Sequence, residues 1–461
     1  MVESKNISER VQLQKNFFQT GKTKNVSYRI DILKKLLKAV KKREKTICDA
    51  LYKDFKKPPF ETIVTETTLI EKEIKFTLKN LKNWSRTKSV KSTLFNFPSK
   101  DFIYFEPYGT VLIIAPWNYP FQLAISPLIG AIAAGNTAIV KPSELTPQIA
   151  SVIDIIIKEV FPPEYVKVFQ GGVETAQNLL KEKWDYVFFT GSVKVGKIVA
   201  KSIAENLTPH TLELGGKNPC IIDESAKVNT AVKRIVSGKF INAGQTCIAP
   251  DYLLVHEKIE KKFLNSLQKE IERAYGKNPK YSKDYPRIIN ESNFNRLVSL
   301  IPEDKVIIGG GSDMDDLFIE PTVLLNPSLH SEVMKDEIFG PILPVLIYQT
   351  EKDIDLVLHK YPNPLALYVF SSKKSFSEKM IKKYAFGGGT INDTLVHIVN
   401  PRLPFGGIGN SGMGAYHGKH SFETFSHKKA ITKRATWLDI PLRYAPYNNK
   451  AKWIKRLSKF F

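Results

Sequence analysis

Between Gly109 and Glu205 the chain alternates two textures that a folded protein can combine in few ways. Short β-branched runs, Thr110–Ala115, Thr137–Val140, Val166–Phe169 and Tyr186–Phe189, are separated by stretches with helical spacing, Leu123–Ala134, Pro147–Val160, Val173–Lys183 and Val193–Glu205. Strand, helix and strand in repetition predict a parallel sheet covered on both faces. Sheets of this class bind ligands beyond the carboxyl ends of their strands, so the residues that follow each run are the first place to look for chemistry.

The flanks extend this picture. Leu33, Leu36, Leu37, Val40, Ile47 and Leu51 recur at helical intervals and predict a helix over Tyr28–Phe55, ended by Pro58 and Pro59. A second helix is expected from Ile63 to Trp84. The basic, Ser-rich stretch 87–100 reads as a linker or as an excursion from the first lobe. After Leu214 a second α/β region is expected, with strands at Pro219–Ile222, Tyr252–Val255, Pro344–Ile347 and Leu365–Val369. The run Pro404–Gly414, PFGGIGNSGMG, is too rich in glycine for regular structure and predicts an ordered loop. With 461 residues, two or three lobes are expected rather than one small domain.

Composition excludes several classes. No apolar run of membrane-spanning length occurs, and the polar start MVESKNISERVQLQ lacks the apolar segment of a secretion signal. Three cysteines, Cys48, Cys220 and Cys247, do not make a disulfide framework and fit a reducing, cytoplasmic setting. His417 and His420 have helical metal-ligand spacing, but no cysteine or acid completes the set, so no metal is expected. The net charge of +22 is spread along the chain without a recognisable nucleic-acid module, so it reads as a lysine-rich surface.

Three residues suggest a reaction. Cys247 sits in NAGQTCIAP, a turn-rich setting unlike a core helix. A thiolate is the working nucleophile, and a free thiol needs a base or a local field to form one; the plain alternative is a structural cysteine. Glu213, in LELGGKN, lies between Leu212 and Leu214, where desolvation raises a carboxyl towards the range of a useful base. It could equally be a strand-end residue before a glycine turn. Asn118, in APWNYP, follows the strongest predicted strand and carries two amide donors suited to an oxyanion; an asparagine before proline is also a common turn former.

A dinucleotide site is suggested nearby. FTGSVKVGK, residues 189–197, places Gly191, Ser192 and Gly196 about a strand-to-helix turn, where free N–H groups favour an anion. Lys141 and Glu144, in VKPSE, follow another strand and could hold an adenosine ribose, or simply pair with each other at the surface.

Taken together these segments resemble the aldehyde dehydrogenase superfamily along nearly the whole chain. The matching motifs are APWNYP, IVKPSE, FTGSVKVGK, LELGGKNP, GQTCIAP, EIFGP (337–341) and PFGGIGNSGMG, in the family's order. The chain looks most like the shorter, class 3 branch. The resemblance implies an α/β fold with a Rossmann-variant parallel-sheet cofactor domain (1–84 and 101–213). It implies a second α/β catalytic domain (214–395) and a small bridging or oligomerisation element (85–100 and 396–440). It implies Cys247 as nucleophile, Glu213 as general base and Asn118 as oxyanion donor. Lys141 and Glu144 would contact the adenosine ribose, Gly191, Ser192 and Gly196 the pyrophosphate, and Glu337 and Phe339 the nicotinamide ribose and ring. The activity implied is NAD-dependent oxidation of an aldehyde, aliphatic of medium or long chain or aromatic, to its acid, with NADP left open and a homodimer as the assembly.

Two other readings compete: transfer of the acyl group to coenzyme A instead of water, and a non-catalytic binding protein on the same fold. Residues 441–461 form a separate feature. In AKWIKRLSKFF, Trp453, Ile454, Leu457, Phe460 and Phe461 oppose Lys452, Lys455, Arg456 and Lys459, a basic amphipathic helix. Docking on the protein itself or on a partner subunit is the first expectation for it, and peripheral contact with an anionic membrane the second.

Overall fold

The computed structural model describes residues 2–439, 441–448 and 450–457. The alternating segment forms a six-stranded sheet. Its centre is Thr110–Ile114, with Thr137–Lys141 and Val166–Val168 on one side and Tyr186–Thr190 and His210–Glu213 on the other, all parallel. The two-residue strand Gly412–Met413 closes the far edge, antiparallel to His210–Glu213. The glycine-dense loop is thus not wholly irregular.

Alternation along the central strand divides the interior. Val111 and Ile113 face one core with the helices Pro120–Ala134 and Pro147–Val160, whereas Leu112 and Ile114 face another with Val193–Ala204. Successive side chains of a strand point to opposite faces, so a strand covered on both sides needs apolar residues throughout. The polar N-terminus joins the second core: helix Val2–Gln19 buries Ile7 and Val11 there, and the Gln14 amide donates to the Ala138 carbonyl at 2.8 Å.

A seven-stranded sheet follows, ordered Val306–Ile308, Thr322–Leu325, Ile342–Tyr348, Tyr252–His256, Pro219–Ile222, Ala366–Phe370 and Gly388–Ile391, parallel except at its first pair. A three-stranded antiparallel sheet of Lys88–Val90, Ser99–Pro107 and Ser426–Arg434 projects from the two. It corrects the expected boundary at residue 100, since Ser99–Pro107 pairs along its whole length with Ser426–Arg434 and the excursion runs on to Pro107. The long Ser426–Arg434 strand was invisible in sequence because nearly all its side chains are exposed, leaving no apolar alternation.

The expected helix over Tyr28–Phe55 is two helices, Val26–Lys42 and Glu44–Phe55, broken at Arg43. Pro59 does not end a helix but starts one, at the first helical position where a missing N–H costs nothing. That helix is interrupted at Ile63–Thr67 by a turn of π-helix before continuing as Thr68–Trp84.

Candidate active site

The strand order of the first sheet reverses between Thr110–Ile114 and Tyr186–Thr190, and the loops leaving these strands part there. Such a switch point opens a crevice. Here a cavity of about 1400 Å³ runs between the two large sheets. It is lined by Asn118, Gly191, Ser192, Glu213, Cys247, Glu337 and Phe339, seven of the ten residues expected at a site.

Lys141, Glu144 and Gly196 are not in this lining. Lys141 Nζ pairs with Glu144 Oε2 at 2.6 Å at the end of the neighbouring strand. Gly196 lies inside helix Val193–Ala204 rather than at its turn, and a Cβ there would meet the Leu214 side chain at 2.6 Å. Close packing of that helix beside Glu213 accounts for a glycine at this position.

The loop that leads to Cys247 is held under strain. Helix Val228–Phe240 ends, and Asn242, Ala243 and Gly244 take left-handed φ values of 55°, 51° and 72°. Such angles are costly for residues with a Cβ and persist only where the surroundings enforce them. At Gly244 a Cβ would also strike the Gly340 carbonyl oxygen at 2.3 Å. The enforcing contacts are specific. Asn242 N donates to Glu61 Oε2 at 3.0 Å, and its side-chain amide donates to the carbonyls of Asn118 (3.0 Å) and Gln245 (3.1 Å). Beyond the cysteine, Asn218 Nδ2 donates to the Cys247 and Ala249 carbonyls at 2.8 and 3.0 Å, and Tyr368 Oη to that of Ile248 at 2.7 Å.

Asn118 is buried and spends one amide hydrogen on the Gln245 carbonyl at 3.1 Å, which leaves the other for a ligand in the cavity. Glu213 ends its strand, fixed by the Gly412 pairing and by Leu214 N donating to the Ser411 carbonyl at 3.1 Å. Neither carboxylate oxygen has a hydrogen-bond partner among the described residues. Burial therefore pushes its pKa well above the ordinary carboxylate value. Burial, then the nearby Glu337 and Glu213 carboxylates, push the Cys247 thiol up to about 12. Burial also lifts Glu337 to about 8, with Asp251 adding to the rise. Burial thus disfavours the ionised forms of both Glu213 and Cys247.

Glu337 and Phe339 owe their places to residues that sequence reasoning missed. Lys217 Nζ binds Asp251 Oδ2 at 2.6 Å and the carbonyls of Val333 and Asp336 at 3.0 and 2.8 Å, while Asp251 Oδ1 accepts from Ile338 N at 2.9 Å. Phe339, at φ 52°, packs edge-on against Trp117 with ring centroids 5.3 Å apart. Lys217 and Asn218 lie inside the LELGGKNP motif and were readable there; Asp251 carried no local signal.

The cavity fits a dinucleotide. Ser192 caps helix Val193–Ala204, its hydroxyl accepting from Val195 N at 3.3 Å, and Ser192, Val193 and Lys194 present that helix start to the cavity. A helix N-terminus favours phosphate. On the other wall, Glu337 Oε1 is buried without a partner among the described residues and offers an acceptor for sugar hydroxyls.

Comparison with known proteins agrees with this geometry. The profile of the aldehyde dehydrogenase family matches residues 2–431. The 4,4'-diaponeurosporen-aldehyde dehydrogenase of Staphylococcus aureus is 50% identical, over 98% of this chain and 99% of its own length. A dimeric, NADP-preferring aldehyde dehydrogenase of Mus musculus is 42% identical, over 93% of this chain and 95% of that protein. The structure of Staphylococcus aureus AldH in a substrate-bound state superposes with a TM-score of 0.96 at 50% identity, covering 98% of this chain and 99% of that one. Matched over most of its length by profile, sequence and structure, the chain belongs to the aldehyde dehydrogenase family, whose members oxidise aldehydes to carboxylic acids with NAD(P).

Proposed function

We propose that this chain oxidises an apolar aldehyde through a thioester on Cys247. The observation that carries the reading is one cavity shared by Cys247, Asn118 and a Glu213 carboxyl without a hydrogen-bond partner among the described residues. The thiol loses its proton to solvent, and the resulting thiolate sulfur bonds to the aldehyde carbon while the carbonyl electron pair moves onto oxygen. Asn118 Nδ2 and the Cys247 backbone N–H donate to that oxyanion, a type of contact worth roughly 3 kcal/mol in the barrier. The nicotinamide cofactor, when bound, supplies the acceptor for the hydride that leaves this carbon. Glu213 then takes a proton from water, which attacks the Cys247 thioester; the carbon–sulfur bond breaks and the acid departs. A buried carboxyl beside the sulfur favours water over coenzyme A as acyl acceptor.

Gly191 and Ser192 would hold the pyrophosphate, Lys141 and Glu144 the adenosine ribose, and Glu337 and Phe339 the nicotinamide end. Glu144 disfavours a 2′-phosphate, but its charge is already offset by Lys141, so both NAD and NADP are expected to serve. The cavity wall of Val64, Leu69, Trp117, Leu123, Val399 and Phe405 suits medium-chain, long-chain or aromatic aldehydes, in keeping with the carotenoid-type aldehyde in the staphylococcal relative's name. A panel of aldehydes of rising chain length, read by NADH and NADPH formation, tests this. Efficiency should rise with apolar length; a preference for small polar aldehydes would overturn the substrate class. Dimerisation is proposed from the dimeric mouse relative, and the sparse cysteines, all free, suit a reducing cytoplasm.

The tail adds a proposal of peripheral membrane contact. Helix Lys450–Leu457 leaves Trp453 and Ile454 59% and 41% exposed, so it does not dock them on its own chain. The side chain of Leu457, and Lys459, Phe460 and Phe461, lie outside the described residues. Among the described residues no helix is long and apolar enough to cross a membrane. The basic, aromatic face suits the surface of an anionic bilayer. The full chain should float with phosphatidylglycerol vesicles and a chain ending at Asn449 should not; equal flotation would end the idea.

A further inference from the structure

The π-helical turn Ile63–Thr67 separates two jobs along one helix. Val64, Thr65 and, just beyond, Leu69 line the cavity. Glu61 and Glu66, by contrast, are buried in the protein interior. Turns of this kind are rare, and they commonly mark functional positions.

Glu66 and Lys57 form an ion pair at 2.6 Å with both side chains fully buried. Besides Lys57 Nζ over the Phe55 ring at 6.0 Å, this pair reaches the loops that carry Asn118 and Cys247. Glu66 Oε2 accepts from Phe121 N at 2.9 Å and Gln122 N at 3.1 Å, the start of the helix that follows Asn118. Lys57 Nζ sits 4.0 Å from the centre of the Tyr119 ring, a close cation–π contact. Tyr119 Oη shares a 2.7 Å hydrogen bond with Thr246 Oγ1, immediately before Cys247. On the other side Glu61 Oε2 accepts from Asn242 N at 3.0 Å and so restrains the strained turn that leads to the cysteine. One helical segment therefore grips the oxyanion loop and the nucleophile loop together.

A buried ion pair is a poor source of stability, because desolvating both charges offsets most of their attraction, and apolar residues of similar volume are often no worse. Its value here lies in directionality. Apolar side chains cannot orient two backbone N–H groups and an aromatic face at once. We propose that Glu66 and Lys57 are positioning residues, which set the Asn118 amide against the Cys247 sulfur through Phe121, Gln122, Tyr119 and Thr246. Val64, Thr65 and Leu69 belong to the same helix, so that part of the cavity wall is built into the clamp. The proposal rests on the roles given above to Cys247 and Asn118.

The test compares K57M/E66M, E66Q and Y119F with the wild type and with C247A, using saturating NAD and a long-chain aldehyde. K57M/E66M leaves the Phe121 and Gln122 N–H groups without their acceptor and should melt several degrees lower, but the folded enzyme should keep the KM for NAD to within about twofold. Its kcat and its first-turnover rate of NADH formation should fall roughly 100-fold, the scale of a 1 Å misalignment. E66Q keeps an oxygen acceptor for Phe121 and Gln122 and should retain more kcat than K57M/E66M, although it strands the Lys57 charge and should melt lower than the wild type. Y119F, which leaves the ion pair in place, should lose about tenfold in kcat without a change in melting temperature, and it reads the same linkage should the double variant fail to fold. Wild-type kcat in K57M/E66M or in Y119F would overturn the proposal. So would a loss of kcat that disappears when the assay is run well below each variant's melting temperature. Failure of the thioester reading is distinguishable, because C247A would then stay active.

Discussion

Replacing Cys247 with alanine should leave less than about 1% of aldehyde oxidation, because losing a covalent nucleophile removes the whole route rather than one stabilising contact. The fold should hardly notice. The loop is fixed by Asn218, Gln245 and Tyr368, through hydrogen bonds that do not involve the sulfur. Steady-state NADH formation, beside a melting curve within a few degrees of the wild type, checks both halves. The wild-type pH profile should reflect the same chemistry. With the Cys247 thiol pushed up to about 12, its reactive thiolate is scarce at pH 7, and burial raises Glu213 in the same direction. The kcat/KM should therefore climb steadily from neutral into alkaline solution. A profile flat from pH 6 to pH 9 would mean that neither group titrates in the rate-limiting step. Activity in C247A above a few per cent would remove the cysteine from the reaction altogether.

Glu213→Gln should separate the two halves of the reaction. Glutamine keeps the size of the side chain but cannot take a proton from water. A single turnover of NADH should appear, followed by a steady rate slower by roughly 100-fold or more, the usual scale of a lost general base. The acyl group should be visible as an added mass on Cys247. Absence of that adduct, together with an unchanged steady rate, would give the base role to another residue. The same substitution should stabilise the protein. A buried carboxyl with a raised pKa stays protonated in the folded chain while the unfolded chain releases its proton, from about pH 4.3 upward. Wild-type stability therefore declines as pH rises from there until the folded carboxyl itself ionises, and the glutamine variant escapes this decline. Its melting temperature at pH 8 should exceed that of the wild type by about 2 °C or more, and the gap should close towards pH 4. Lost activity with gained stability is the expected signature of a group held in an unfavourable environment for its chemistry.

Much of the active site could be read from the chain because its groups sit at strand ends, and strand ends are marked locally. The change from an apolar run to APWNYP, to FTGS or to LELGG announces the end of a strand and the residue that follows it. Seven of the ten expected residues accordingly share one cavity. The remaining three illustrate the limit of such signals. Gly196 looks like part of a phosphate turn and instead packs a helix on Leu214, while Lys141 and Glu144 meet each other. A motif conveys that certain residues are close along the chain, and says little of which way their side chains point.

What the sequence alone determined was the alternation of elements, hence the two largely parallel sheets, the crevice between them and the presence of Cys247, Glu213 and Asn118 in it. The tertiary structure decided how those groups are held. The Lys217–Asp251 pair beneath Glu337, the Lys57–Glu66 pair behind Asn118, the grip of Glu61 on Asn242 and the pairing of Ser99–Pro107 with Ser426–Arg434 all join residues far apart in the chain. Their physical origin is burial: a charge or a backbone N–H removed from water must find its partner wherever packing brings one, and no local pattern records where that will be.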